Sequence, residues 1–332
     1  MGRNDLPAAF SFQPFFAFPS RSMQPLHHPL LNRLRIPLLA AALLIAGCGS
    51  SEAQDAPSPP PGLVLTPQRC TAPGGSAASV VLRPADAAQG KRAVARPLGS
   101  TAAPFGYYER LPSRYADGSA TRYPLIVFLH GSGEVRSQLA VLVGQDQPGV
   151  AKRDITAALD PDQAGGFVAL FPQRCANIVV ADEIRAFIDY AARAYRVDRS
   201  RVYLVGHSAG AAQIWSSLDS LTDLVAAVVP IAGLDVRADP CRAKQVPMWA
   251  FHAADDAIVP ASHSVAVVNR LKACAPAAPV APRLTLYPSG GHVVDTRTLD
   301  LSGMGPNDAR HDAYDVDVYR WLLRHALPAA KP

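Results

Sequence analysis

The 332-residue chain is 49% hydrophobic and 18% charged, enough apolar material for one large folded domain and too much for a disordered chain. Its formal net charge of +5 is concentrated at the start: Arg3, Arg21, Arg33 and Arg35 against Asp5 place +3 in the first 47 residues and leave +2 for the rest. That remainder has no basic run interleaved with aromatics, so nucleic-acid binding is set aside.

Arg33 and Arg35 precede an apolar run, Ile36 to Ala46, that is too short to span a bilayer and suits the core of a signal peptide. The run closes in Ile45-Ala46-Gly47-Cys48, which resembles a bacterial lipobox. The resemblance implies lipidation of Cys48, hence a membrane anchor. It implies an exported, envelope-bound protein of the outer membrane or periplasm, and Gly49 after the cysteine, rather than an aspartate, favours the outer membrane. A plain secretory signal with an incidental cysteine is the alternative. Met23 gives a more usual signal length than Met1, and both stay open as the start. Residues 1–47 are therefore read as a signal peptide and 48–62, rich in Ser, Pro and Ala, as a flexible tether. Residues 63–105 form an irregular approach and 106–332 a single α/β domain.

Four further cysteines, Cys70, Cys175, Cys241 and Cys274, are scattered without a C-x-x-C pair, which favours disulfides over a metal site. Of the three connectivities, the one joining Cys241 to Cys274 is preferred, because both should precede a strand on the same side of a sheet.

Gly106 to Pro112 alternates enough for a strand. Tyr123 to Leu129 is a continuous apolar run, the pattern of a parallel strand buried on both faces. It opens into His130-Gly131-Ser132-Gly133-Glu134, a loop poor in side chains where backbone N–H groups can face an anion. Residues 140–159 read as loosely helical, and 166–171 as another buried strand. From Asp182 to Tyr195 the apolar positions Ile184, Phe187, Ile188, Ala191 and Tyr195 make one helical stripe, with Arg185 and Asp189 paired on the outer side.

Val202 to Val205 then enters Gly206-His207-Ser208-Ala209-Gly210, and a small-residue helix, 209–218, leaves it. Strand, sharp turn and helix place a serine at the apex, beside the positive end of a helix. Residues two before and two after it must be tiny, and Gly206 and Gly210 are. Strands follow at 225–231, 248–252 and 283–287, and a closing helix at 315–327. The alternation predicts a mostly parallel sheet with helices on both faces. An acid (Asp255 or Asp256) and then His292 each lie just past the carboxyl end of a successive strand, the edge where open sheets build sites.

The runs F-L-H-G-S-G-E (128–134), V-G-H-S-A-G (205–210), F-H-A-A-D-D-A-I-V-P (251–260) and Y-P-S-G-G-H (287–292) resemble α/β-hydrolases. The similarity covers about residues 106–327. It is nearest to secreted carboxylesterases of the phospholipase/carboxylesterase, feruloyl-esterase and polyhydroxybutyrate-depolymerase group. It implies a serine esterase with Ser208 as nucleophile, His292 as base and Asp256 as its partner, the pattern H-G-x-x-D-x-x-V-P selecting Asp256 over Asp255. It further implies an anion hole from the amides of Ser132 and Ala209.

Ala253 stands where the family has glycine, and Val293-Val294 where it often has an aromatic pair. The resemblance also implies no metal or organic cofactor and a small-molecule or polymer-borne ester as substrate. A serine peptidase on the same fold and a non-catalytic envelope lipoprotein are the rival readings, and His311 is the rival base. Gly131, Gly133 and Glu134, with Arg136, belong to the loop. His207 and Trp215 read as pocket wall or packing, and His130 and His252 as hydrogen-bonded anchors.

Overall fold

The computed structural model describes residues 66–70, 93–116, 119–135, 138–145, 153–236 and 239–328. The expected signal segment, Cys48, the tether and Arg136 lie outside them.

The eight strands are β1 (Val94–Arg96), β2 (Tyr107–Arg110), β3 (Tyr123–Leu129), β4 (Val168–Pro172), β5 (Val197–His207), β6 (Ala227–Ile231), β7 (Trp249–Ala253) and β8 (Arg283–Tyr287). They form one sheet in the order β1-β2-β4-β3-β5-β6-β7-β8. β1 and β2 run antiparallel to their neighbours, and every pairing from β4 to β8 is parallel. The middle strands are buried throughout, as their unbroken apolar runs require.

Alternate side chains of β3 feed two cores. Leu125, Val127 and Leu129 share one core with Ile184 and Phe187 of α1 (Ala181–Ala194), Ile214 of α2 (Ala209–Ser217), and Val267 and Leu271 of α3 (Ser262–Lys272). Ile126 and Phe128 share the opposite core with Leu299 of α4 (Asp295–Leu299) and Trp321 and Leu322 of α5 (Val318–Leu323). Each such buried side chain contributes about 1.5–3 kcal/mol of burial free energy.

Several expectations need correction. Residues 140–159 contain no α-helix where described. A single 3-10 turn (Leu139–Leu142) ends at Gly144 (φ +75°), and Val143 bridges back to Asp154. Arg185 does not pair with Asp189. Its guanidinium takes Asp223 in a two-pronged contact at 2.8 and 2.7 Å, a better match to a planar fork than a neighbour on the same helix. The closing helix is only α5, started by Asp317, whose carboxylate accepts from the Tyr319 amide at 2.7 Å.

Two disulfides join Cys70 to Cys175 and Cys241 to Cys274. The second is the expected pair, since Cys241 and Cys274 sit in the segments leading to β7 and β8. Such bonds belong to an oxidising compartment. Among the described residues, no helix is long and apolar enough to cross a membrane.

Candidate active site

β5 ends at His207 and α2 begins at Ala209, so Ser208 alone makes the turn between them. It does so at φ +53°, ψ −117°, a backbone state L-residues seldom adopt. The flanking glycines are needed for space. A β-carbon on Gly206 would fall 2.5 Å from the Gly210 carbonyl oxygen, and one on Gly210 would fall 1.8 Å from the carbonyl oxygen of Leu129 on β3. The turn is thus packed against the neighbouring strand with nothing to spare.

The loops after β7 and β8 bring two further groups to this corner. His292 Nε2 lies 2.9 Å from Ser208 Oγ, and His292 Nδ1 lies 2.8 Å from Asp256 Oδ2. A carboxylate only accepts, so Nδ1 carries the hydrogen and Nε2 is left to accept from the serine hydroxyl. The arrangement is a serine, a base and an orienting acid on three separate loops at one sheet edge. The rival acid and base are elsewhere: Asp255 bonds the Gly291 amide, and His311 sits in a turn closed on Asp308.

Asp256 is held as an anion. Burial opposes its charge. The His292 hydrogen bond and the amides of Val259 and Ile258, each at 2.9 Å, outweigh that and keep its carboxyl below the usual range. His252 completes the set from β7, its Nε2 lying 3.2 Å from Asp256 Oδ2 and 2.8 Å from the Val259 carbonyl. Its Nδ1 meets the Ser264 hydroxyl at 2.8 Å, and burial disfavours the charged ring and lowers its pKa below the ordinary histidine value.

The loop after β3 lies over the serine. A β-carbon on Gly131 would stand 3.5 Å from Ser208 Cβ. Ser132 opens a 3-10 turn (Ser132–Glu134) and Ala209 opens α2, so neither amide has a partner inside its own turn. The loop is pinned from behind. The Arg174 amide donates to His130 Nε2 at 2.9 Å, which puts the ring hydrogen on Nδ1, 2.8 Å from the Gly131 carbonyl. The fully buried Arg174 guanidinium also donates to the His130 carbonyl, and the Gln173 side-chain amide to that of Glu134. Next to Arg174, the Cys70–Cys175 bond fastens the segment.

His207 is buried beside the serine, its Nε2 donating to the His292 carbonyl at 2.8 Å. Asp295 is buried on the same side and pairs with Arg153. Burial raises its carboxyl, but the attraction of His207 and Arg153 prevails and keeps it low. Trp215 packs into the core of the α2 face, beside a small cavity lined by Met248, Val267 and Arg270.

Sequence reasoning missed Arg174, Arg153 and Asp295. Arg153 and Asp295 are 142 residues apart, and no local pattern links them.

An eight-stranded sheet of this order, with a strained serine turn after β5 and an acid and a histidine after β7 and β8, decides the architecture. The chain has the α/β-hydrolase fold. The sequence matches no protein-family model, and no curated protein matches it. Among solved structures, a thermostable esterase is 24% identical with a TM-score of 0.49, over 71% of this chain and 63% of that one. Esterase PE8 is 19% identical with a TM-score of 0.40, over 55% of this chain and 90% of that one. An acylaminoacyl peptidase is 14% identical with a TM-score of 0.44, over 73% and 42%. The chain thus spans just under two thirds of the thermostable esterase's length. Likeness at this level does not transfer an activity, and function in an α/β-hydrolase is read from its site.

Proposed function

We propose that this α/β-hydrolase is a serine esterase that cleaves carboxylic esters through an acyl-enzyme. The observation that carries the reading is the continuous hydrogen-bonded chain from Ser208 Oγ through His292 to Asp256, built on a strained turn. As the serine oxygen attacks the ester carbonyl carbon, its proton passes to His292 Nε2. Asp256 holds the ring in the required tautomer and stabilises it while charged. The carbonyl oxygen gains negative charge facing the amides of Ser132 and Ala209. One such donor is worth about 10²–10³ in turnover. Collapse expels the alcohol, which takes the proton from His292. A water molecule then gives a proton to His292 and attacks the acyl carbon, and the serine leaves with that proton as acid is released.

Esters rather than amides follow from the sequence resemblance. The preferred substrate is a small or polymer-borne ester reached at an open site, as the absence of a long insertion in the sequence after residues 225–231 argues. Export through residues 1–47 and a lipid on Cys48 complete the proposal, and partitioning of the mature protein into detergent tests the anchor. The activity is tested by incubation with a fluorophosphonate probe and with p-nitrophenyl acetate. The wild-type chain is expected to be labelled at Ser208 and to release p-nitrophenol, and Ser208→Ala to do neither. Cleavage of aminoacyl p-nitroanilides in preference to esters would favour the peptidase. No labelling at all would leave the fold without the chemistry.

A further inference from the structure

Two contacts hold the backbone around His292, and neither involves its ring. On the preceding side, the exposed carboxylate of Asp255 accepts from the Gly291 amide at 2.8 Å, with the Gly290 amide as a second donor. These glycines have φ +142° and +62°, states that other residues avoid. On the following side, His207 Nε2 lies 2.8 Å from the His292 carbonyl oxygen. A carbonyl only accepts, so that nitrogen carries the hydrogen. The centroids of the two imidazole rings are 4.9 Å apart, and both nitrogens of the His292 ring are taken by Ser208 and Asp256, so the hydrogen bond from His207 reaches His292 through its backbone.

We propose that Asp255 and His207 are positioning residues that grip the peptide groups on either side of His292 and so aim its imidazole at Ser208. The inference rests on reading Ser208, His292 and Asp256 as the reacting set. Its physical basis is the Gly290-Gly291 pair. Two consecutive glycines form the freest stretch a chain can have, and without an anchor they would let the base wander. Misplacement of a reacting group by about 1 Å costs on the order of 100-fold in rate. Asp255 is adjacent to the acid and bonded to the turn carrying the base, so it also fixes the two loops against each other.

The test is steady-state hydrolysis of p-nitrophenyl acetate by Asp255→Ala and Asp255→Asn, with melting temperatures. Asp255→Ala is expected to lower kcat by about 10–100-fold with KM nearly unchanged and with a wild-type melting temperature, because the residue is exposed. Asp255→Asn keeps an acceptor oxygen while losing the charge, and is expected to stay within about threefold of wild type. A kcat for Asp255→Ala within twofold of wild type overturns the proposal. So does an Asn variant as poor as the Ala variant, which would assign the effect to charge. Fluorophosphonate labelling of the wild-type chain separates the two levels: a labelled wild type with an unaffected Asp255→Ala defeats only this inference, whereas an unlabelled wild type defeats the triad reading beneath it. His207→Ala is expected to show the same loss confined to kcat. Should that buried variant fail to fold, the Asp255 pair alone decides.

Discussion

Two of the buried polar clusters on this sheet differ in kind, and only one of them contains the proposed nucleophile. At the antiparallel end, Glu109 of β2 accepts from Arg96 of β1 at 2.6 Å and from the Tyr195 hydroxyl. The Tyr107 hydroxyl joins those of Tyr195 and Tyr190 at 2.8 Å each. That cluster closes on itself under the aromatic packing of Tyr107, Phe187 and Tyr190. At the other edge, the chain from Asp256 through His292 ends at a hydroxyl on a strained turn, next to two amides unused by their own helices. Hydrogen bonding inside the core therefore does not by itself mark a site. What distinguishes the second cluster is that it ends at an alcohol bonded to an imidazole, on a turn held at φ +53°.

The largest expected effect separates the two at once. Ser208→Ala should lower turnover by about 10⁶ and Asp256→Asn by about 10⁴, both measured on p-nitrophenyl acetate, with the Ala variant as stable as wild type. Glu109→Ala should do the reverse. It removes the buried carboxylate that Arg96 and the Tyr195 hydroxyl share, which costs about 3–5 kcal/mol in urea unfolding, while kcat remains that of wild type.

The smallest effect is on pH dependence. Burial holds His130, His207 and His252 below the ordinary histidine value of 6.5. Between that value and the folded ones, the unfolded chain binds protons that the folded chain refuses, so stability falls as pH drops below about 6.5. The tyrosine cluster has the opposite sign. Burial raises Tyr107 and Tyr195 above the ordinary value of 10.0, so the unfolded chain loses protons first and stability falls as pH rises past about 10. A melting-temperature profile should therefore be lowered on the acid side by the site's histidines and on the alkaline side by the buried tyrosines, those of the closed cluster among them. His252→Asn should flatten only the acid limb, and Tyr195→Phe only the alkaline one.

Much of the sheet and the site was legible because the signals are local. The parallel strands are unbroken apolar runs, and Gly206, Ser208 and Gly210 mark their turn within five residues. Asp256 was separated from Asp255 by a motif spacing. The start of β5 was not legible. Val197 pairs with Tyr123 on β3, but Asp198, Arg199, Ser200 and Arg201 bulge from the ladder before Val202 resumes pairing opposite Leu125, so the strand begins with a polar stretch that does not read as one. α3 was also missed, since it begins without a capping side chain at Ala261 and buries only a narrow stripe. The partners Arg174–His130, Arg153–Asp295 and Arg185–Asp223 depend on distant segments meeting, which composition and periodicity do not report.

The φ of +53° at Ser208 also restricts what chemistry this corner can acquire by mutation. A second heavy substituent on the β-carbon would collide with the backbone in that conformation, so threonine is barred although it too offers a hydroxyl. Cysteine, unbranched and of similar size, meets no such obstacle. Of the alcohol and thiol nucleophiles, this turn admits only the two with an unencumbered β-carbon, and a search for new reactivity here begins with sulfur.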